Sequence, residues 1–150
     1  MIQLLPISTD PTQNTAFVDN PACQPILKVF GPYYEQIGYQ PPWIGYFAAF
    51  GERIVGTGGF KGVPRSGKVE IAYHTFAEAE GEGIGTQICE ALVRLSRNTD
   101  PSIQITARTL AEENASTTIL KKNHFQLAGE VMDEEDGLVW EWIFAPEAVT

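Results

Sequence analysis

The sequence predicts an α/β fold (α+β in the looser sense): one mixed, mostly antiparallel sheet of about seven strands flanked by about four helices. Three observations predict it. Apolar runs joined by tight turns follow one another from Trp43 to Phe76. A helical stripe follows, then a run of strict alternation, then a second short helical stretch. Two further strand-like runs then flank an acidic turn. Antiparallel hairpins with one strand–helix–strand unit give a mixed sheet. A doubly wound nucleotide fold would need more alternation.

Taken in order, Gln3-Leu4-Leu5-Pro6-Ile7 reads as a short edge strand. Between residues 10 and 42, Val29, Phe30, Tyr33, Tyr34 and Ile37 recur at helical spacing, but Pro25 and Pro32 interrupt them. The expectation is two short helices or one broken helix. Trp43 to Phe50 is an aromatic-rich strand, and Gly51-Glu52 turns it into a hairpin partner, Arg53 to Phe60. Lys68 to Phe76 forms a third strand, with Val69, Ile71 and Tyr73 on one face and Lys68, Glu70, Ala72 and His74 on the other. Ile84, Ile88, Leu92 and Leu95 form an apolar helical stripe that ends near Asn98-Thr99-Asp100-Pro101. Ile103, Ile105 and Ala107 alternate with polar neighbours in a period-two strand. Asn114 is placed to cap a short helix reaching about Lys122. Phe125 to Val131 and Leu138 to Phe144 close the chain as a hairpin around Asp133-Glu134-Glu135-Asp136-Gly137.

The 150 residues suit one domain, residues 1–150, with room for a core. A net charge of −9 disfavours nucleic acid, whose phosphates it would repel, and leaves a cationic substrate such as an amine open. Cys23 and Cys89 are the two cysteines, and Cys89 falls inside a predicted helix, so a buried thiol is expected rather than a disulfide. With His74 and His124 as the histidines, no metal-ligand cluster is expected. The first ten residues lack the charged start and apolar run of a leader, and no stretch reaches membrane-spanning length. A cytoplasmic location without membrane contact is therefore expected.

The segment Glu80-Gly81-Glu82-Gly83-Ile84-Gly85-Thr86 lies between a strand-like and a helix-like run. Its three glycines leave the backbone bare where the helix begins. A helix N-terminus has unsatisfied N–H groups and the positive end of the dipole, so it favours an anion such as a phosphate. No Gly-Lys-Ser/Thr follows, which excludes a Walker loop.

Three motifs occur in order: Glu70-Ile71-Ala72-Tyr73, the glycine segment, and Asn114-Ala115-Ser116 followed by Leu120-Lys121-Lys122-Asn123-His124-Phe125. Together they resemble the GNAT superfamily of N-acetyltransferases, and most closely the branch of ribosomal-protein N-terminal acetyltransferases. The resemblance runs from about Trp43 to Phe144. It implies an N-acetyltransferase that uses acetyl-CoA without a metal. A small-molecule amine or a peptide N-terminus would attack the thioester directly in a ternary complex. It also implies a sheet splayed at its centre, with Tyr73, His74 and Thr75 meeting the pantetheine arm by strand addition. The amides of Gly81, Glu82, Gly83, Ile84, Gly85 and Thr86 would hold the pyrophosphate, and Asn114 would meet the pantetheine arm or the thioester region. The fold allows two copies to pair through a sheet edge or the last hairpin, as a homodimer.

The chain departs from the family pattern at Glu80, where Gln or Arg is usual, and at His124, where Gly is common. It also has no tyrosine after Tyr73 to serve as general acid. Glu70 is the expected general base: an amine must lose a proton before it attacks, and a carboxylate in a partly dry cleft can accept it, often through a water. The structural alternative for Glu70 is a strand residue that faces solvent or pairs with Lys68 or Arg53. Ser116 offers a hydroxyl for the departing thiolate, or is an ordinary first-turn residue. A non-catalytic acyl-CoA-binding or sensor module on the same fold is the alternative function.

Overall fold

The computed structural model describes residues 1–146. The order is β1 (Ile2–Pro6), a 3-10 turn (Pro11–Asn14), α1 (Gln24–Ile37), β2 (Gly45–Phe50), β3 (Arg53–Phe60) and β4 (Lys68–Thr75). A second 3-10 turn (Ala77–Ala79) then leads to α2 (Ile84–Thr99), β5 (Gln104–Leu110), α3 (Ala115–Lys122), β6 (Phe125–Asp133) and β7 (Gly137–Phe144). All seven strands form one sheet in the order β1-β2-β3-β4-β5-β7-β6. Every neighbouring pair is antiparallel except β4 with β5, which α2 connects in parallel.

The region before β2 departs from expectation. Among the described residues it holds one 14-residue α-helix rather than two pieces, with Pro32 inside it. Pro25 lies in the first turn, where the missing N–H has no intrahelical partner to lose. Pro32 gives up one i→i−4 bond, and packing of the aromatic stripe outweighs that loss. The Phe30 ring occupies the space that a Cβ on Gly45 would fill. The buried Tyr34 hydroxyl donates to the Ile7 carbonyl at 2.8 Å and accepts from the Gly45 N–H at 3.1 Å. These bonds tie α1 to the β1–β2 end of the sheet, and burial holds the Tyr34 phenol protonated by raising its pKa.

Helix α2 buries Ile84, Ile88, Cys89, Leu92 and Val93. Its ridge lies close over β3: a Cβ at Gly58 would come within 2.7 Å of Ile88 Cγ2 and 3.1 Å of Leu92 Cδ1. Glycine there sets how near the helix can approach. Helix α3 starts at a capping box: Asn114 Oδ1 accepts from Thr117 N–H at 3.1 Å, and Thr117 Oγ1 accepts from Asn114 N–H at 3.0 Å. In β7, Trp142 is fully buried and bonds Thr109 Oγ1 through its ring N–H at 3.0 Å, while Trp140 is half-buried. No helix among the described residues is long and apolar enough to cross a membrane.

Candidate active site

The parallel pair β4–β5 holds together for only part of its length. Paired positions run from Lys68↔Gln104 to Ile71↔Ala107, yet β4 continues to Thr75 and β5 to Leu110. Beyond Ile71 the two strands part, and among the described residues β4 keeps a partner only on the β3 side.

The ladder phase tells which groups are left free. Lys61 N–H bonds the Glu70 carbonyl at 2.9 Å, and Phe76 N–H bonds the Val55 carbonyl at 2.8 Å. Backbone groups alternate sides along a strand. Residues 70, 72, 74 and 76 therefore point their N–H and C=O at β3, and residues 71, 73 and 75 point theirs the other way. Past the last β4–β5 pair, Tyr73 and Thr75 present backbone groups with no ladder partner among the described residues to the open cleft, whereas His74 is bonded within the sheet.

The cleft runs into a groove of about 470 Å³. Tyr73, His74 and Thr75 form one wall, Gly81, Gly83, Ile84, Gly85 and Thr86 the end, and Ala115, Ser116 and Ile119 the other wall. Gly83 caps α2 with φ of +77°, a left-handed value that glycine adopts without strain, and no side chain among the described residues caps the helix. The first-turn amides of α2 are thus left to solvent or to a ligand. Gly81 has φ of +82°. Arg53 ties the loop down by donating to the Glu78 carbonyl at 3.0 Å and pairing with Glu82 at 3.2 Å. Asn123 joins α3 to the start of α2, since its Nδ2 donates to the carbonyls of Thr86 (3.2 Å) and Ile119 (3.0 Å).

On the opposite face of β4, Glu70 is partly buried and held between two cations. Lys61 Nζ lies 2.9 Å from Oε2, and Arg108 Nε lies 3.9 Å from Oε1. Arg108 also bonds Asp133 at 2.9 Å and faces Glu141 at 3.6 Å. Burial opposes the Lys61 charge, but the hydrogen bond and charge of Glu70, with Asp133 nearby, hold its ammonium above the usual range. The hydrogen bond from Arg108, with those from the Glu135 and Asp136 amides, pulls Asp133 down to about 2.

Tyr73 faces the α2 side. Burial, reinforced by its neighbour Cys89, pushes the phenol pKa up. Burial likewise pushes the Cys89 thiol up to about 12, which leaves it a poor nucleophile. Both cysteines are free and buried.

Of the residues singled out from sequence, Tyr73, His74, Thr75, Glu80, Gly81, Gly83, Ile84, Gly85 and Thr86 line the groove. The Glu82 side chain turns outward to Arg53, and Asn114 Oδ1 is engaged in its cap, with Ala115 and Ser116 forming the wall beside it. Glu70 lies in an adjoining recess of about 100 Å³ with Lys61, Tyr73, Arg108 and Ser116. Its partners are therefore Lys61 and Arg108 rather than Lys68 or Arg53. Lys61, Arg108 and Asn123 escaped the sequence reading of the site. His124 has φ of +68°, which explains why a glycine suits this position.

Comparison with known proteins agrees with this geometry. The family model for the acetyltransferase (GNAT) domain matches residues 9–126. No curated protein sequence matches the chain. Among solved structures, a RimL ribosomal-protein alpha-N-acetyltransferase in complex with coenzyme A superposes with a TM-score of 0.65 at 15% identity, covering 95% of this chain and 92% of that one. A spermidine N-acetyltransferase SpeG chimera, from Vibrio cholerae and hSSAT, gives 0.70 at 10% identity, covering 98% and 96%. The aminoglycoside acetyltransferase AAC(6')-Ib with coenzyme A and kanamycin gives 0.68 at 17% identity, covering 99% and 96%. With its split sheet, bare helix terminus and this match over most of its length, the chain belongs to the GNAT acetyltransferase family.

Proposed function

We propose that the protein transfers an acetyl group from acetyl-CoA to a primary amine by direct attack in a ternary complex. The observation that carries this reading is the open edge of β4 next to the uncapped N-terminus of α2. The residues present fit the cosubstrate. Tyr73 and Thr75 offer backbone groups for strand-like pairing with the pantetheine amides. The amides from Gly81 to Thr86 suit its pyrophosphate. The thioester would supply the electrophilic carbonyl when bound, and a free N–H of β4, on Tyr73 or Thr75, would stabilise charge developing on its oxygen.

Glu70 is the proposed proton acceptor for the amine, acting through a water, with Lys61 holding its carboxylate in place. Ser116 lines both the groove and the Glu70 recess, so its hydroxyl is the proposed donor to the leaving thiolate. RimL, SpeG and AAC(6')-Ib are each described as acting on an amine-bearing substrate, which supports the reaction class. Two free, buried cysteines suit a reducing cytoplasmic setting.

Acetyl-CoA at about a hundredfold over Kd contributes about 2.7 kcal/mol. That is roughly 5–10 °C in melting temperature for a domain of this size. No shift at millimolar ligand would refute the binding site. Glu70→Gln is expected to lower kcat with little change in acetyl-CoA affinity, and unchanged turnover across pH would remove Glu70 from the proton path.

One observation favours a second reading, a non-catalytic acyl-CoA-binding module: Glu70 is already engaged by Lys61 and Arg108. Acetyl-CoA binding without thiol release over a broad amine panel would select it.

A further inference from the structure

Building on the acetyltransferase reading, we propose that the acceptor is a primary amine with a single positive charge on a compact, ring-sized apolar body, and that the site disfavours polycationic amines. A cavity of about 290 Å³ lies between α1 and strands β2, β3 and β4. Its walls include Val29, Phe30, Tyr33, Thr57, Phe60 and Ala72. Phe30 and Tyr33 meet edge to face at 5.5 Å and 88°, which presents ring surface to an occupant. Val29 stays 62% exposed at this wall, apolar surface left uncovered in the free protein. Among the described lining residues Lys61 is the one charged group, and no carboxylate is present.

The adjoining recess shares Lys61, Ala72 and Tyr73 with this cavity and contains Glu70. An amine head can therefore sit by Glu70 while its body rests on the rings. Inside the cavity a second ammonium has no such partner: Asp133 and Glu135 act on Lys61 and Tyr33 from outside its lining, and Asp133 is already paired with Arg108. The second ammonium would lie against apolar walls or beside the like charge of Lys61, where lost hydration and repulsion both disfavour it. At this volume, near the lower end for small-molecule sites, a single ring fills the cavity and a multi-ring amino sugar would extend beyond it. The same chemistry arises in a free arylalkylamine and in a peptide whose first residue is aromatic.

The test uses the full chain with phenethylamine, a Phe-Gly-Gly amide, spermidine and kanamycin. Each is titrated calorimetrically against CoA-saturated protein and assayed for acetyl-CoA-dependent thiol release. One of the two aromatic amines is expected to bind and to exceed both polycations by about tenfold or more in kcat/KM. Whichever aromatic compound leads identifies the source. Spermidine or kanamycin matching them, or neither aromatic compound binding, overturns the proposal. Val29→Glu places a carboxylate at an exposed wall position without disturbing the core, and is expected to shift preference toward spermidine several-fold. An unchanged ratio would put selection outside this cavity and also overturn it. Thermal stabilisation by acetyl-CoA, measured on the same sample, separates the two levels. Its absence sinks the acetyltransferase reading, whereas its presence with polycation preference sinks only the acceptor assignment.

Discussion

Proline substitution at two adjacent residues of β4 separates cofactor binding from fold stability. The ladder phase, set by the Lys61–Glu70 and Phe76–Val55 bonds, directs the His74 amide to β3 and the Thr75 amide to the open cleft. Proline deletes an N–H, and strands tolerate it where that N–H faces away from the ladder. His74→Pro removes a sheet bond and leaves the Thr57 carbonyl unpaired, at about 1–3 kcal/mol. For a domain of this size that is roughly 2–12 °C in melting temperature. Thr75→Pro leaves the β3 ladder whole and removes one donor to acetyl-CoA, about 1 kcal/mol or roughly fivefold in Kd. Thr75→Val, which keeps the N–H, controls for the lost hydroxyl. Calorimetric titration with acetyl-CoA and a thermal melt on each variant give the comparison. If Thr75→Pro melts as low as His74→Pro while binding acetyl-CoA normally, the assignment of the free edge is wrong.

Three further outcomes are expected. His124 holds φ of +68°, so His124→Gly should raise the melting temperature by a few degrees, matching relief of about 1 kcal/mol; a fall would show that the imidazole contributes more than its strain. Asp133 has a folded pKa near 2 against an ordinary 3.8, so its stabilisation is complete above about 3.8 and fades as pH falls toward 2. Asp133→Asn should flatten that stretch of the stability–pH curve, and an unchanged curve in urea titrations would contradict the Arg108 pairing. Ile88 is fully buried over Gly56 and Gly58, so Ile88→Ala should cost about 2–5 kcal/mol in denaturant unfolding; a loss below about 1 kcal/mol would mean that α2 is not anchored there.

Much of this arrangement is legible in the sequence because it is local. The alternation from Lys68 to Thr75, the stripe of Ile84, Ile88 and Leu92, and the Asn114 cap each report on their own neighbours, and each stands where expected. The glycine segment also announces its geometry, since left-handed Gly81 and Gly83 bracket the turn into α2. Three features were not legible. Pro32 reads as a helix breaker, but the seating of Phe30 and Tyr34 on the sheet carries α1 through it. The partners of Glu70 come from β3 and β5, and the acidic turn proves to be anchored by Arg108, because pairing across strands leaves no local trace. Which amides of β4 are free depends on the hydrogen-bonding phase with β3, which side-chain alternation does not encode.

Amide hydrogen exchange with and without acetyl-CoA tests the central claim most directly, because it reads individual backbone groups. The account predicts slowed exchange at Tyr73, Thr75 and the amides from Gly81 to Thr86 on ligand addition. His74, already bonded to β3, should be slow in both states and change little. Protection that appears on other strands, or that leaves Tyr73, Thr75 and the α2 terminus exchanging as fast as before, would contradict it.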